Sequence, residues 1–151
     1  MTARFVLAAA WFAALGTASC AAAGPPPACA PQANAGFQAS VMARKPLVEG
    51  VMVCGIVAGR PYERGGEHGL HAYIPLRVQA PGGATYRTQV IPNEELVGRI
   101  AVREGDAVVA VGQFVYPNRR AGYEGLIHDT HHATRRGGVD GYVSVNGTVY
   151  R

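Results

Sequence analysis

No stretch of this chain is apolar for long enough to cross a bilayer, which takes about 20 consecutive residues. The longest apolar run, Phe5 to Leu15 (FVLAAAWFAAL), has eleven. A second scarcity is lysine: of 14 basic residues only Lys45 is one, and 10 acids offset them to a net charge of +4. So modest an excess, carried by arginine, is compatible with a polyanionic partner and does not demand one. The acids are scattered, with no cluster dense enough for calcium or magnesium. No Ser or Cys nucleophile motif of a covalent hydrolase is present, and no internal repeat. Cysteine occurs three times, at Cys20, Cys29 and Cys54, which allows one intramolecular bridge at most.

What is present begins with a sorting signal. Arg4 supplies a short positive region, Phe5 to Leu15 the apolar one, and Gly16-Thr17-Ala18-Ser19-Cys20 the small residues that follow. This is the anatomy of a secretory signal peptide. Thr17-Ala18-Ser19-Cys20 resembles a bacterial lipobox, with threonine where leucine is usual. The resemblance implies lipid attachment at Cys20, and Ala21 after it favours the outer membrane. Ordinary cleavage near Ala21-Ala22-Ala23 is the other reading. Either way the expected location is the periplasm or outer membrane, with membrane contact only through a lipid anchor. Removing the segment takes Arg4 with it, leaving 13 basic and 10 acidic residues. In an oxidising compartment a Cys29–Cys54 disulfide is permitted, although Cys54 in an apolar strand also reads as a simply buried thiol.

Composition divides the chain into a signal segment (1–20), an uncharged Pro/Ala-rich linker (21–46, with a turn or two of helix over Gly36–Lys45) and a β-rich domain (47–151). Val48–Gly59 is apolar on both alternating sets, as for a bent strand covered on both sides. A polar loop, Arg60–Gly69, follows. Leu70–Val78 alternates, with Leu70, Ala72, Ile74, Leu76 and Val78 inward, and Pro75 placing it at an edge or bulge. Ala84–Ile91 is a third strand. Asn93 caps a helix with stripe Leu96, Val97, Ile100 and Ala101, ending at Gly105. Asp106–Tyr116 and Glu124–His128 are the fourth and fifth strands, and a final strand, Gly141–Val145, turns through Asn146-Gly147. Three strands, a helix and two strands define the expected fold: mainly β, an OB-like five-stranded Greek-key barrel with one helix between strands 3 and 4.

The chemistry-bearing residues are five histidines in two tight groups, His68 and His71, then His128, His131 and His132. Two groups so far apart suggest one site assembled by folding. His71 stands in the second strand, Asn93 before the helix, Gly105-Asp106 before the fourth strand, and Tyr116 and Asn118 at its end. Gly125-Leu126-Ile127-His128-Asp129-Thr130-His131-His132 follows, then Gly141-Tyr142 and Tyr150. On these positions the segment from Val48 to Arg151 resembles a family of small exported bacterial domains of unknown function, marked by a C-terminal G-x-I-H-W-T-H-H signature. Asp129 replaces its tryptophan, Ala133-Thr134 its Asp-Pro, and the acidic pair of the first loop is reduced to Glu63 and Glu67. The resemblance implies a fold and no activity.

Three functional readings use these residues. A divalent metal such as zinc would draw on His71, His128, His131 and His132. On a straight strand His128 and His132 would stand about 13 Å apart, too far for zinc–nitrogen bonds of about 2 Å, so the strand must bend or end near Thr130. A metal-assisted or histidine-driven hydrolase of nuclease or phosphodiesterase type would use His128, His131 and Asn118, with Arg119 on developing phosphate charge. A binding or accessory module would present His71, Tyr73, Arg77, Arg87, Arg119 and Arg120, with Gln89, to an oligonucleotide, an anionic glycan or an envelope protein. A fourth reading is structural: the histidines with Thr130 and an asparagine form a hydrogen-bonded network holding the last turn.

Overall fold

A computed structural model describes residues 29–66, 68–117, 122–134 and 136–151. The signal segment with Cys20, and Glu67, Asn118, Arg119 and Arg120, lie outside the described residues. The elements are α1 (Ala35–Met42), β1 (Leu47–Val57), β2 (Tyr62–Gly66), β3 (Gly69–Gln79), β4 (Thr85–Val90), α2 (Glu94–Val97), β5 (Ala107–Val115), β6 (Gly125–His128), β7 (Tyr142–Val145) and β8 (Thr148–Tyr150). β1, β3, β4, β6 and β5 follow one another round a barrel that closes where β5 pairs with β1. The β4–β6 pair is parallel and the others are antiparallel. This is an OB-like barrel, mainly β, with α2 between its third and fourth strands. β2 extends the sheet from β3, and the β7–β8 hairpin extends it from β5.

The sequence pattern of each barrel strand follows from its neighbours. β1 carries apolar residues on both faces because its second half lies between β5 and β3, with Ile56 opposite both Ala107 and Arg77. A register shift between Val48 and Val51, where Gly50 has φ 67°, supplies its bend. β3 changes partner along its length, pairing with β2 up to Tyr73 and with β1 from Leu76. Pro75, which has no N–H to donate, sits in that gap. Inward residues of the strands (Val53, Ile74, Val78, Val90, Phe114, Ile127) are fully buried and form one core.

Three expectations meet a different arrangement. The packed body begins well before Leu47: Phe37 of α1 is fully buried and meets Phe114 and Tyr86 edge to face, with centroids at 5.7 and 5.9 Å. Asn34, also fully buried, donates to Cys54 O (2.9 Å) and Gln79 O (2.7 Å) and accepts from Cys54 N (2.7 Å). A Cys29–Cys54 disulfide fastens the same stretch to β1, Cα to Cα 5.1 Å. A bland Pro/Ala composition hides two anchors and a bridge. Second, the helix expected to run to Gly105 lasts one turn, because Gly98 adopts φ 80° and the chain then continues irregularly to β5. Leu96 is accordingly half exposed, while Ile100 remains in the core. Third, the polar loop after β1 contains a strand, β2, paired residue for residue with the start of β3. Its outward side chains lack any apolar alternation, which is why it reads as a loop.

Candidate functional site: a histidine-lined cavity

The site is built where three irregular junctions meet. The β2–β3 turn carries His68, and His71 follows two residues into β3. Asn93, the residue before α2, stitches this turn to the helix: its Oδ1 caps Glu95 N at 3.0 Å and its Nδ2 donates to His68 O at 2.7 Å. Its backbone bridges that of His71 directly. β6 ends at His128, and Asp129, with φ 50°, turns the chain sharply so that the following residues leave the strand line. Gly141 N–H holds the turned segment by donating to His131 O at 2.8 Å.

These junctions enclose a cavity of about 290 Å3, with His68, His71, His128 and His131 in its walls together with Asn93 and Asp129. Ile91 and Leu96 supply apolar wall. Two of the imidazoles are oriented by main-chain carbonyls: His71 Nδ1 lies 3.1 Å from Gly69 O, and His131 Nδ1 lies 2.6 Å from His132 O. A carbonyl can only accept, so both rings donate from Nδ1, and among the described residues neither Nε2 has a hydrogen-bond partner. His128 differs. Burial holds its imidazole below the ordinary 6.5; the charge of Asp129 opposes that shift and the neighbouring His71 adds to it. It is therefore the ring kept neutral and able to accept a proton.

That depression has a consequence for stability. The folded state binds a proton at His128 less readily than the unfolded chain, so the benefit of keeping it neutral is complete above about pH 6.5. It is lost as pH falls from there through the folded-state value. The melting point should decline over that acid window, above the range where carboxylates titrate, and His128→Asn should flatten the decline. A wild-type melting point unchanged from pH 7.5 to 5.5 would contradict the burial of this ring.

Of the residues singled out in the sequence, His71, His128 and His131 share the cavity. His132 does not line it; its Nδ1 meets Asp140 Oδ1 at 3.2 Å on the exposed surface. Asp140 also accepts from Ala133 N, and these two hydrogen bonds, the backbone one first, hold its carboxyl below the usual range. The four-histidine ligand set is thus divided. Among the described residues no three His, Cys, Asp or Glu side chains are grouped so as to hold a metal ion. Of the groups expected in a structural network, Asn93 donates to His68 O and His131 Nδ1 meets His132 O, whereas the buried Thr130 hydroxyl has no partner among the described residues.

The expected binding stripe is also split. Tyr73 stacks on Tyr62 of β2, centroids 4.8 Å apart and planes 4° from parallel. Arg77 and Arg87 stand directly opposite one another on β3 and β4, and Arg87 lies over the Tyr123 ring at 5.5 Å. Six residues along β3 separate His71 from Arg77, about 20 Å of strand. Gln89 is buried rather than displayed, its amide 3.4 Å from Tyr123 Oη. Residues not singled out for the site are Ile91, Leu96 and Thr134, and Asn93 and Asp129, noted only as cap and as departure from a signature. Asn93 was legible as a helix cap; Ile91 and Leu96 carried no signal separating cavity wall from core. Fold and site together define a small OB-like barrel with a histidine-lined cavity at the edge of its sheet. No family model, no curated protein and no solved structure matches this chain.

Proposed function

We propose that this protein is an exported envelope binding or accessory module, akin to the histidine-signature domains it resembles, and that its ligand site is the histidine-lined cavity. One observation carries the reading: histidines from two distant segments line a single cavity, and the Nε2 of His71 and of His131 has no hydrogen-bond partner among the described residues. Such a wall accepts hydrogen bonds from ligand hydroxyl or amino groups. The Cys29–Cys54 bridge supports export, since disulfides persist in oxidising compartments, and lipid attachment at Cys20 would hold the module at the outer membrane. Among the described residues no helix is long and apolar enough to cross a membrane.

The Arg77–Arg87 pair supports an anionic, oligomeric ligand. Like charges directly opposite across a ladder are unfavourable, and an anion bridging them removes the penalty. A glycan or single-stranded oligonucleotide presents both the donors for the cavity and the charge for the arginines. Titrating the protein with a uronic-acid oligosaccharide and with a single-stranded oligonucleotide at low salt, while recording histidine ring resonances, tests this. His71 and His131 should move together at one saturable midpoint, and His71→Asn should abolish the movement at His131. Rings that stay still with both probes would remove the cavity from any binding role.

A second reading rests on His128. A neutral imidazole in a partly desolvated wall is suited to act as a general base on a bound water, as in a histidine-driven phosphodiesterase. Hydrolysis of an activated phosphodiester, abolished by His128→Asn and insensitive to chelators, would support it; no turnover above His128→Asn would end it.

A further inference from the structure

The ribbon formed by β2 and the first half of β3 lies off the barrel, and one of its faces leads into the histidine cavity. Residues paired across a ladder share a face of the sheet. Tyr62 stands opposite Tyr73 and Arg64 opposite His71, so these side chains form a two-by-two array on that face. Two residues of strand, about 7 Å, separate the tyrosine pair from the Arg64–His71 pair. His71 is also a wall of the histidine cavity, which makes the array its continuation along β3.

Each half of the array has capacity that the fold does not use. The parallel stack, 4.8 Å between centroids, occupies one face of the Tyr62 ring, and Tyr62 remains half exposed. Among the described residues β2 pairs with β3 alone, so no strand covers the outer side of that ring. Arg64 is exposed and makes no ion pair among the described residues. β3 carries no acid, and the one acid of β2, Glu63, lies on the other face and pairs with Arg99 at 3.0 Å. A flat aromatic face thus stands one step along the strand from an uncompensated positive charge. The acid of the cavity wall, Asp129, comes from the end of β6, not from this ribbon.

We infer that this array is a base-and-phosphate subsite for single-stranded nucleic acid, an inference that rests on the histidine cavity being a binding site. One base stacks on the open face of Tyr62 as a third ring. Arg64 takes the adjoining phosphate, and the next nucleotide offers its base-edge donors to His71 Nε2 and the cavity. The array favours a base over a sugar. A base has polar atoms only at its edge, so its face can rest on Tyr62 without hydrogen-bond partners. A sugar ring carries hydroxyls all round, and beside the tyrosines the array offers them only Arg64 and His71.

The test measures binding of three probes to the full mature chain at low salt: a short oligothymidylate, an abasic chain of the same length and charge, and an oligogalacturonate. The oligothymidylate should bind about tenfold more tightly than either of the others, the worth of one stacked base. Tyr62→Ala should remove that advantage and Tyr62→Phe should keep it, since the ring and not the hydroxyl does the stacking. Arg64→Gln should weaken both nucleic-acid probes and lower the salt slope by about 0.7, one phosphate contact. The comparison with the abasic chain uses the unaltered protein, so it decides the matter even if a variant fails to fold. Equal binding of the thymidylate and abasic chains, undiminished thymidylate binding by Tyr62→Ala, or equally tight binding of oligogalacturonate would each overturn the subsite. In any of these cases, His71 and His131 rings that still move with a probe would leave the cavity reading standing, whereas rings that stay still would remove both.

Discussion

Phe37→Ala should destabilise the protein by about 3–5 kcal/mol, the usual cost of emptying a phenylalanine's place in a core. Phe37 is fully buried, with two aromatic edge contacts. It also leans on the start of β6: a methyl at Gly125 would come within 2.6 Å of its ring. Little can collapse into the vacated space, because the barrel strands around it are fixed by their ladders. The loss should appear in urea denaturation as a lowered midpoint with an unchanged slope. The Cys29–Cys54 bridge and Asn34 would still hold the segment in place, so the variant should fold. A loss under about 1 kcal/mol would mean that α1 does not dock on the barrel as described.

Gly141→Ala should damage stability and site together. A β-carbon at Gly141 would meet Asp129 O, lie 2.6 Å from Val111 O, and approach Thr130 Cα at 2.9 Å. All three are main-chain atoms, which cannot swing aside, so the turned segment must move off β5. Such overpacking costs about 1–3 kcal/mol, and the Gly141 N–H to His131 O bond goes with it. Gly112 has the same duty from below, since its missing side chain leaves room for His128 O and for the Thr130 methyl at 2.9 Å. The His131 ring resonance should therefore shift in Gly141→Ala while those of the β7–β8 hairpin stay put. A variant as stable as wild type, with an unmoved His131, would show that the 128–131 turn does not depend on this close approach.

Much of the fold was legible, and for physical reasons. Strand alternation in β3, the doubly apolar β1, the Asn146-Gly147 hairpin with φ 48° and 90°, and the Asn93 cap are local signals that tertiary packing reinforced. What stayed hidden depended on distant partners. Asn34 and Phe37 look like linker residues until Cys54 and Phe114 are placed beside them. The length of α2 was misjudged because an apolar stripe was followed past Gly98, where Ile100 enters the core without helical backbone. At the site, the histidine spacing required a break near Thr130, and the chain turns at Asp129. No local pattern could say that His132 would turn outward to Asp140, which lies eight residues on.

The most direct measurement is the titration of each histidine ring by NMR in wild type, His71→Asn and Asp129→Asn. If the two histidine groups share one cavity, His128 titrates below 6.5, its value rises when His71 is removed, and it falls further when Asp129 loses its charge. A His128 titration that is the same with and without His71 would contradict a common cavity.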